Sequence, residues 1–154
     1  MTARIYVTRR ISQTALDRLS QAGFDVEVYP EDRTIPREVL LEKVKNRDGI
    51  LCILTDTIDQ AIFSQALDAK IFANYAVGYN NIDIQEATRR GIAITNTPGV
   101  LTDATADLAW TLLFATARHV VEGDAFLRAG KFEGWGPQMM LGQDITGATL
   151  GVVG

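Results

Sequence analysis

Cysteine is almost missing from this chain. Its single occurrence, Cys52, excludes an internal disulfide and any thiolate metal cluster. Because it sits inside the apolar run from Gly49 to Leu54, a buried structural thiol is expected there and not a nucleophile. Histidine is as scarce. His119 stands alone, with no H-E-x-x-H or G-x-S-x-G pattern around it, so it is given no catalytic role and no complete catalytic constellation is visible. No apolar run approaches the ~20 residues that a membrane helix requires, and the opening Met1 to Tyr6 leads into a strand pattern without a signal-peptide core. A cytoplasmic protein without a membrane partner is expected. Clustered basic residues are lacking too: the net charge is -4, and Arg9-Arg10 and Arg89-Arg90 are the only basic doublets. That argues against a nucleic-acid surface, which depends on grouped Lys and Arg.

What is present is a globular composition, 47% hydrophobic and 22% charged over 154 residues, enough for one domain or for one domain and part of a second. Five short runs rich in β-branched and aromatic residues alternate with helical patterns: Arg4 to Thr8, Phe24 to Tyr29, Gly49 to Leu54, Ile71 to Tyr75 and Ile92 to Thr95. Such alternation predicts an α/β fold, an open parallel sheet with helices on its faces. Ser12 is placed to cap the first helix and Gly23 to stop it; Pro36 opens the second. Thr57 with Gln60 predicts a capping box for the third, and Asp83 with Glu86 resembles one for a fourth helix ended by Gly91.

The alternation stops after Asn96-Thr97-Pro98-Gly99. From about Asp103 to Ala129 one helical pattern runs on with Gly123 as its only irregularity, which predicts a single helix ~40 Å long. Much of its surface is apolar or small, so it requires cover on several sides, from a further part of its own domain or from another subunit. A Gly-rich loop carrying Trp135, Met139 and Met140 follows, and Thr149 to Gly154, T-L-G-V-V-G, reads as the first strand of a dinucleotide-binding unit. Gly154 would be the first glycine of its G-x-G-x-x-G turn. A last strand without a following helix is expected to fray or associate.

The segment that best suits a ligand is Asn74 to Asp83, N-Y-A-V-G-Y-N-N-I-D, at the carboxyl end of the fourth strand. Ligands of open α/β sheets bind beyond that edge, and a Val77-Gly78 turn with outward N–H groups would accept a small anion. A plain strand-to-helix turn, with Gly78 relieving backbone strain and Asn81 or Asp83 capping a helix, accounts for the same residues.

Taken together, A-N-Y-A-V-G-Y-N-N-I-D, then G-I-A-I-T-N-T-P-G-V-L-T-D-A-T-A-D-L-A, then the long helix, then T-L-G-V-V-G resemble the D-isomer-specific 2-hydroxyacid dehydrogenases. The stretch L-T-D-A-T-A-D places the resemblance nearest the glyoxylate/hydroxypyruvate reductase branch. The resemblance implies a flavodoxin-like substrate domain over residues 1–99, and over 100–154 a dimerisation helix and loop followed by the start of a nicotinamide-binding Rossmann domain. It implies an NAD or NADP cofactor, a small 2-oxo or 2-hydroxy acid as substrate, and a homodimer formed through the helix around 103–129. The family's catalytic Arg, Glu and His would all lie beyond the end of this chain, so the chain by itself is expected to be inactive. The positions that carry over are Val77 and Gly78 for the substrate carboxylate, Ile53 beside the substrate, and Thr105 and Gly154 toward the cofactor. Trp135, aromatic in a Gly-rich loop, is expected to reach a partner subunit. A non-catalytic dimeric module that binds a small carboxylate, and another family member such as a phosphoglycerate or formate dehydrogenase, are the alternatives.

Overall fold

The computed structural model describes residues 2–153 and divides them into two compact units, one reaching to Val100 and the other beginning at Leu101. The first unit runs β1 (Arg4–Val7), α1 (Gln13–Gln21), β2 (Asp25–Val28), α2 (Arg37–Lys43), β3 (Gly49–Ile53), α3 (Gln60–Gln65), β4 (Ile71–Tyr75), α4 (Ile84–Arg90) and β5 (Ala93–Thr95). All neighbouring strands pair in parallel, in the order β2-β1-β3-β4-β5. This is the flavodoxin-like order, with its switch point between β1 and β3.

The sheet's period-2 alternation decides which side chains are buried. Tyr6, Ile50, Phe72 and Ile94 stand in one row across β1, β3, β4 and β5. They pack with Leu40 and Val44 of the α2 region, Ile62 and Phe63 of α3 and Ala87 of α4. Phe63 meets Phe72 edge to face, ring centres 5.2 Å apart. Cys52 is fully buried in this layer, and burial pushes its thiol up to about 12, so it is held as the unreactive thiol expected from its surroundings. The opposite face is less covered: α1 contributes no fully buried residue, and Tyr75, Ala93 and Thr95 are exposed.

Several helix ends follow the sequence signals. Ser12 Oγ accepts from Ala15 N, Asp83 caps α4 through Glu86 N, and Gly91 closes α4 in the left-handed region at φ 67°. The third helix differs from expectation. Asp59, not Thr57, is its cap, accepting from the N–H groups of Ala61 and Ile62 at 3.0 and 3.2 Å. The helix begins later because Ile58 is fully buried and bridges in extended form to Ile82, which keeps residues 57–58 out of a helical turn.

The second unit departs further. The pattern from 103 to 129 is not one helix: α5 (Thr102–Ala117) and α6 (Val120–Arg128) are separated at His119, whose φ is 53°. Gln143 N donates to the freed Ala117 carbonyl at 2.8 Å, so the later loop satisfies the acceptor that the break exposes. Residues 149–153 form no strand, because an extended segment becomes one only against a partner and none of the described residues pairs with it. Gly154 lies outside the described residues. No helix is long and apolar enough to cross a membrane, and no group of three metal-ligating side chains occurs among the described residues.

Candidate functional site

The carboxyl ends of β3 and β4 lie side by side, Ile53 in register with Tyr75. From there the chain continues into two loops, 54–59 and 76–83, which are joined by the Ile58–Ile82 bridge. The second loop contains Val77 and Gly78, both exposed. Its backbone is fixed through its carbonyl groups. Thr97 N donates to Ala76 O at 2.9 Å, Asn96 Nδ2 to Val77 O at 2.7 Å, and Asn74 Nδ2 to Gly78 O at 2.9 Å. All peptide bonds among the described residues are trans, so each N–H points away from the carbonyl that shares its plane. Pinning those three oxygens therefore turns out the N–H groups of Val77, Gly78 and Tyr79, and none of the three has a hydrogen-bond partner among the described residues.

Three successive unpaired donors on a fixed backbone are groups from which an anion such as a carboxylate or phosphate can accept hydrogen bonds. The alternative, that Gly78 relieves backbone strain, loses its basis here: Gly78 is not among the glycines with positive φ. A Cβ at that position would meet only the Asn80 side-chain oxygen, at 3.2 Å. What the missing side chain does leave open is the approach to its own N–H.

Ile53, half-buried at the end of β3, is tied at both backbone groups. Its N–H donates to Asp56 Oδ2 at 3.0 Å and its carbonyl accepts from Asn81 Nδ2 at 3.2 Å. Asp56 is buried and also accepts from the Thr8 hydroxyl at the end of β1, while its Oδ1 has no partner among the described residues. Burial pushes the Asp56 carboxyl above the usual range, with the Thr8 hydroxyl, the Ile53 N–H and the Arg9 charge pulling the other way. Ile53, Val77 and Gly78 thus sit on adjoining loops at one sheet edge. An adjoining cavity of about 300 Å³, whose lining includes Leu51, Asn74, Tyr75, Asn96 and Thr97, does not include Ile53, Val77 or Gly78 themselves.

The remaining sequence candidates lie in the second unit. Thr105 is exposed in the first turn of α5, its N–H donating to Leu101 O at 2.9 Å. Trp135 is 83% exposed in the loop after α6. His119 is a half-exposed residue between α5 and α6, with Nδ1 3.9 Å from Glu122 Oε2. A nicotinamide dinucleotide requires a strand, a Gly-rich turn and a helix N-terminus. Residues 149–153 are not a strand, so the described residues do not make a cradle for that cofactor, and no chemical step is assigned through it. Sequence reading gave no role to Thr8, Asp56, Asn74 or Asn96, and took Asn81 for a candidate cap. The cap is Asp83; Asn81 is a loop-to-loop tie.

Residues 5–150 match the family model of the D-isomer specific 2-hydroxyacid dehydrogenase, catalytic domain. The glyoxylate reductase of Thermococcus gammatolerans is 51% identical over 158 residues, an alignment covering 100% of this chain and 47% of that protein. The chain spans about half the length of the curated relatives it matches. Among solved structures, the TT0316 protein of Thermus thermophilus superposes with a TM-score of 0.89 at 43% identity, covering 92% of this chain and 45% of that one. The NAD+-bound 3-phosphoglycerate dehydrogenase of Entamoeba histolytica does so with a TM-score of 0.66 at 25% identity, over 90% of this chain and 44% of that one.

Proposed function

The chain belongs to the D-isomer specific 2-hydroxyacid dehydrogenases, and on that basis we propose that it supplies the substrate-carboxylate side of a reductase of small 2-oxo acids, glyoxylate or hydroxypyruvate. The observation that carries this reading is the run of three unpaired N–H groups at Val77, Gly78 and Tyr79 behind three pinned carbonyls. These donors would hold the carboxylate of the 2-oxo acid. Ile53 would offer apolar contact beside its carbonyl carbon, and Thr105 would stand toward the nicotinamide.

Most of the site for the NAD(P)H that supplies the hydride, and the Arg, Glu and His that would clamp the acid and protonate the alkoxide, would come from outside residues 1–154, with Thr105 and Gly154 contributing to the cofactor side. The residues described therefore bind and orient; they do not complete the reaction. The 50%-range identity to glyoxylate reductases supports this substrate class over phosphoglycerate. We assign residues 1–99 to the substrate domain and 100–154 to the dimerisation element with the start of the cofactor domain, in a cytoplasmic enzyme. The apolar surface of α5 and α6 would be covered by the same surface of a second copy, an isologous contact, with Trp135 reaching the partner.

The test is reduction of glyoxylate and of hydroxypyruvate by the full-length protein with NADH and with NADPH. Oxidation of either cofactor with either acid is the expected result; no turnover in any of the four combinations overturns the reading. For Trp135, Trp135→Ala is expected to weaken dimerisation or raise KM, and unchanged values of both would remove its role.

A further inference from the structure

We propose that Asn74 and Asn81 act as one positioning unit, a head-to-tail pair of side-chain amides that sets the direction of the N–H groups in the carboxylate-binding turn and couples that turn to Ile53. The proposal rests on the reading of Val77 and Gly78 as carboxylate donors and goes beyond it by naming what holds them.

Asn74 projects from the middle of a core layer and is 2% exposed. An amide buried there is costly unless its donors and acceptor are used, and all of them are. Its Nδ2 donates to Gly78 O at 2.9 Å and to Asn81 Oδ1 at 3.1 Å. Its Oδ1 faces Cys52 Sγ at 3.6 Å and Asn81 Nδ2 at 3.4 Å. Asn81 in turn donates to Asp56 O at 2.9 Å and Ile53 O at 3.2 Å. One pair of side chains thus spans the end of β3, the end of β4 and both loops beyond them.

Two apolar side chains of similar volume would fill the same space without the cost of burying amides. What amides add is direction. Asn74 fixes the Gly78 carbonyl, and with it the Tyr79 N–H on the far side of the same peptide plane. Asn81 fixes the Ile53 carbonyl from the same junction. A rotation of the Gly78–Tyr79 peptide would then require the buried Asn74 amide to lose its Gly78 partner and disturb its pairing with Asn81, so the turn keeps its donors outward before any ligand arrives. Such advance ordering of donors lowers the cost of binding. Neither residue touches the substrate in this scheme; both act through the backbone.

The experiment uses full-length protein with Asn74→Asp and Asn81→Asp, which keep side-chain volume and replace amide donors by acceptors. Carboxylate binding is made equally in ground state and transition state, so its loss raises KM and leaves kcat. The expected result is a KM for glyoxylate about tenfold higher or more, with kcat within about threefold. In parallel, the 1H–15N signals of Val77, Gly78 and Tyr79 are followed as glyoxylate is added. In the parent they should shift, and in both variants the shift should be lost at the same concentration. An unchanged KM, or a fall in kcat at constant KM, overturns the proposal while leaving the carboxylate reading in place. If the parent's own three signals do not respond to glyoxylate, the carboxylate reading itself falls. Should Asn74→Asp not fold, Asn81→Ser at its half-buried position gives the same decision.

Discussion

The two units of this chain are both rich in apolar residues and treat them in opposite ways. Every buried residue of the core lies between Tyr6 and Ala87. Neither α5 nor α6 has a single buried residue, and Leu108, Trp110, Leu112, Phe114, Val121 and Leu127 are all substantially exposed. The first unit succeeds because its sheet brings residues as distant in sequence as Tyr6 and Ile50 into one layer, with three helices to cover it. The second unit has apolar helices, but among the described residues nothing buries their side chains. Apolar residues around the whole of a helix mark it for cover on several sides. Apolar content alone therefore does not make a core; a surface that faces it does.

This contrast can be probed by substitution, and the chain has built-in reporters. All four tyrosines, Tyr6, Tyr29, Tyr75 and Tyr79, fall in the first unit, and both tryptophans, Trp110 and Trp135, in the second. The greatest loss is expected from Phe72→Ala, which removes a fully buried ring packed on Phe63. A loss of about 3–5 kcal/mol is expected, read as a lower denaturant midpoint of the tyrosine signal. A comparable loss from Leu112→Ala measured on isolated monomer would contradict the contrast, since Leu112 is 58% exposed and should cost about 0.5 kcal/mol or less there.

Next comes Leu112→Glu. If a second copy covers α5, a buried unpaired charge at that contact is strongly destabilising, and sedimentation should show the dimer replaced by monomer while the tyrosine transition stays in place. A dimer that persists would mean that some other surface joins the copies.

The same contrast governs what could be read from the sequence. In the first unit the strands, the Ser12 cap and the Gly91 stop are local signals, and local signals were enough because the sheet that completes them lies within the same hundred residues. The turn at Val77-Gly78 was legible as a place, but not its mechanism. Asn81 reaches the Ile53 carbonyl across 28 positions and Asn96 reaches Val77 across 19, and no periodicity encodes such pairs. In the second unit the break at His119 has no Pro or Gly to announce it; the nearest irregular residue, Gly123, lies inside α6. Thr149 to Val153 has strand composition, yet the partner that would make it a strand is not among the described residues.

A smaller effect separates two kinds of glycine. Gly91 ends α4 at φ 67° with open space around it, so Gly91→Ala meets no neighbour and its cost is the strain of an L side chain in the left-handed region. It is expected to cost about 1–2 kcal/mol, confined to the tyrosine signal. Gly142 is different: a Cβ there would overlap the Ala117 carbonyl oxygen and crowd Arg118 Cα, both backbone, where the loop seals the α5–α6 break. Gly142→Ala should therefore move the tryptophan signal and leave the first unit alone. A response of the tyrosine signal to Gly142→Ala would show that the units are not independent.

The weakest effect is a dependence on acid. Glu86 is nearly buried, and Arg89 and then Arg90, by hydrogen bonds from their guanidinium groups, hold its carboxyl down to about 2. Arg90 also donates to Phe63 O at 2.9 Å and Ser64 Oγ at 3.0 Å, so this ion cluster ties α4 to α3. The folded-state value lies below the ordinary one of 4.5, so the unfolded chain binds the proton first as pH falls. The contribution is complete above about pH 4.5 and is lost progressively as pH drops through about 2. Glu86→Gln should flatten the pH dependence of the tyrosine midpoint within that window and leave the tryptophan midpoint unchanged. Asp56 works in the opposite sense: its carboxyl is raised by burial, so its ionisation weakens the fold as pH rises through its folded-state value. A parent protein whose tyrosine transition gains stability below pH 4.5 would mean that Asp56, not the Glu86 cluster, sets the acid response of the first unit.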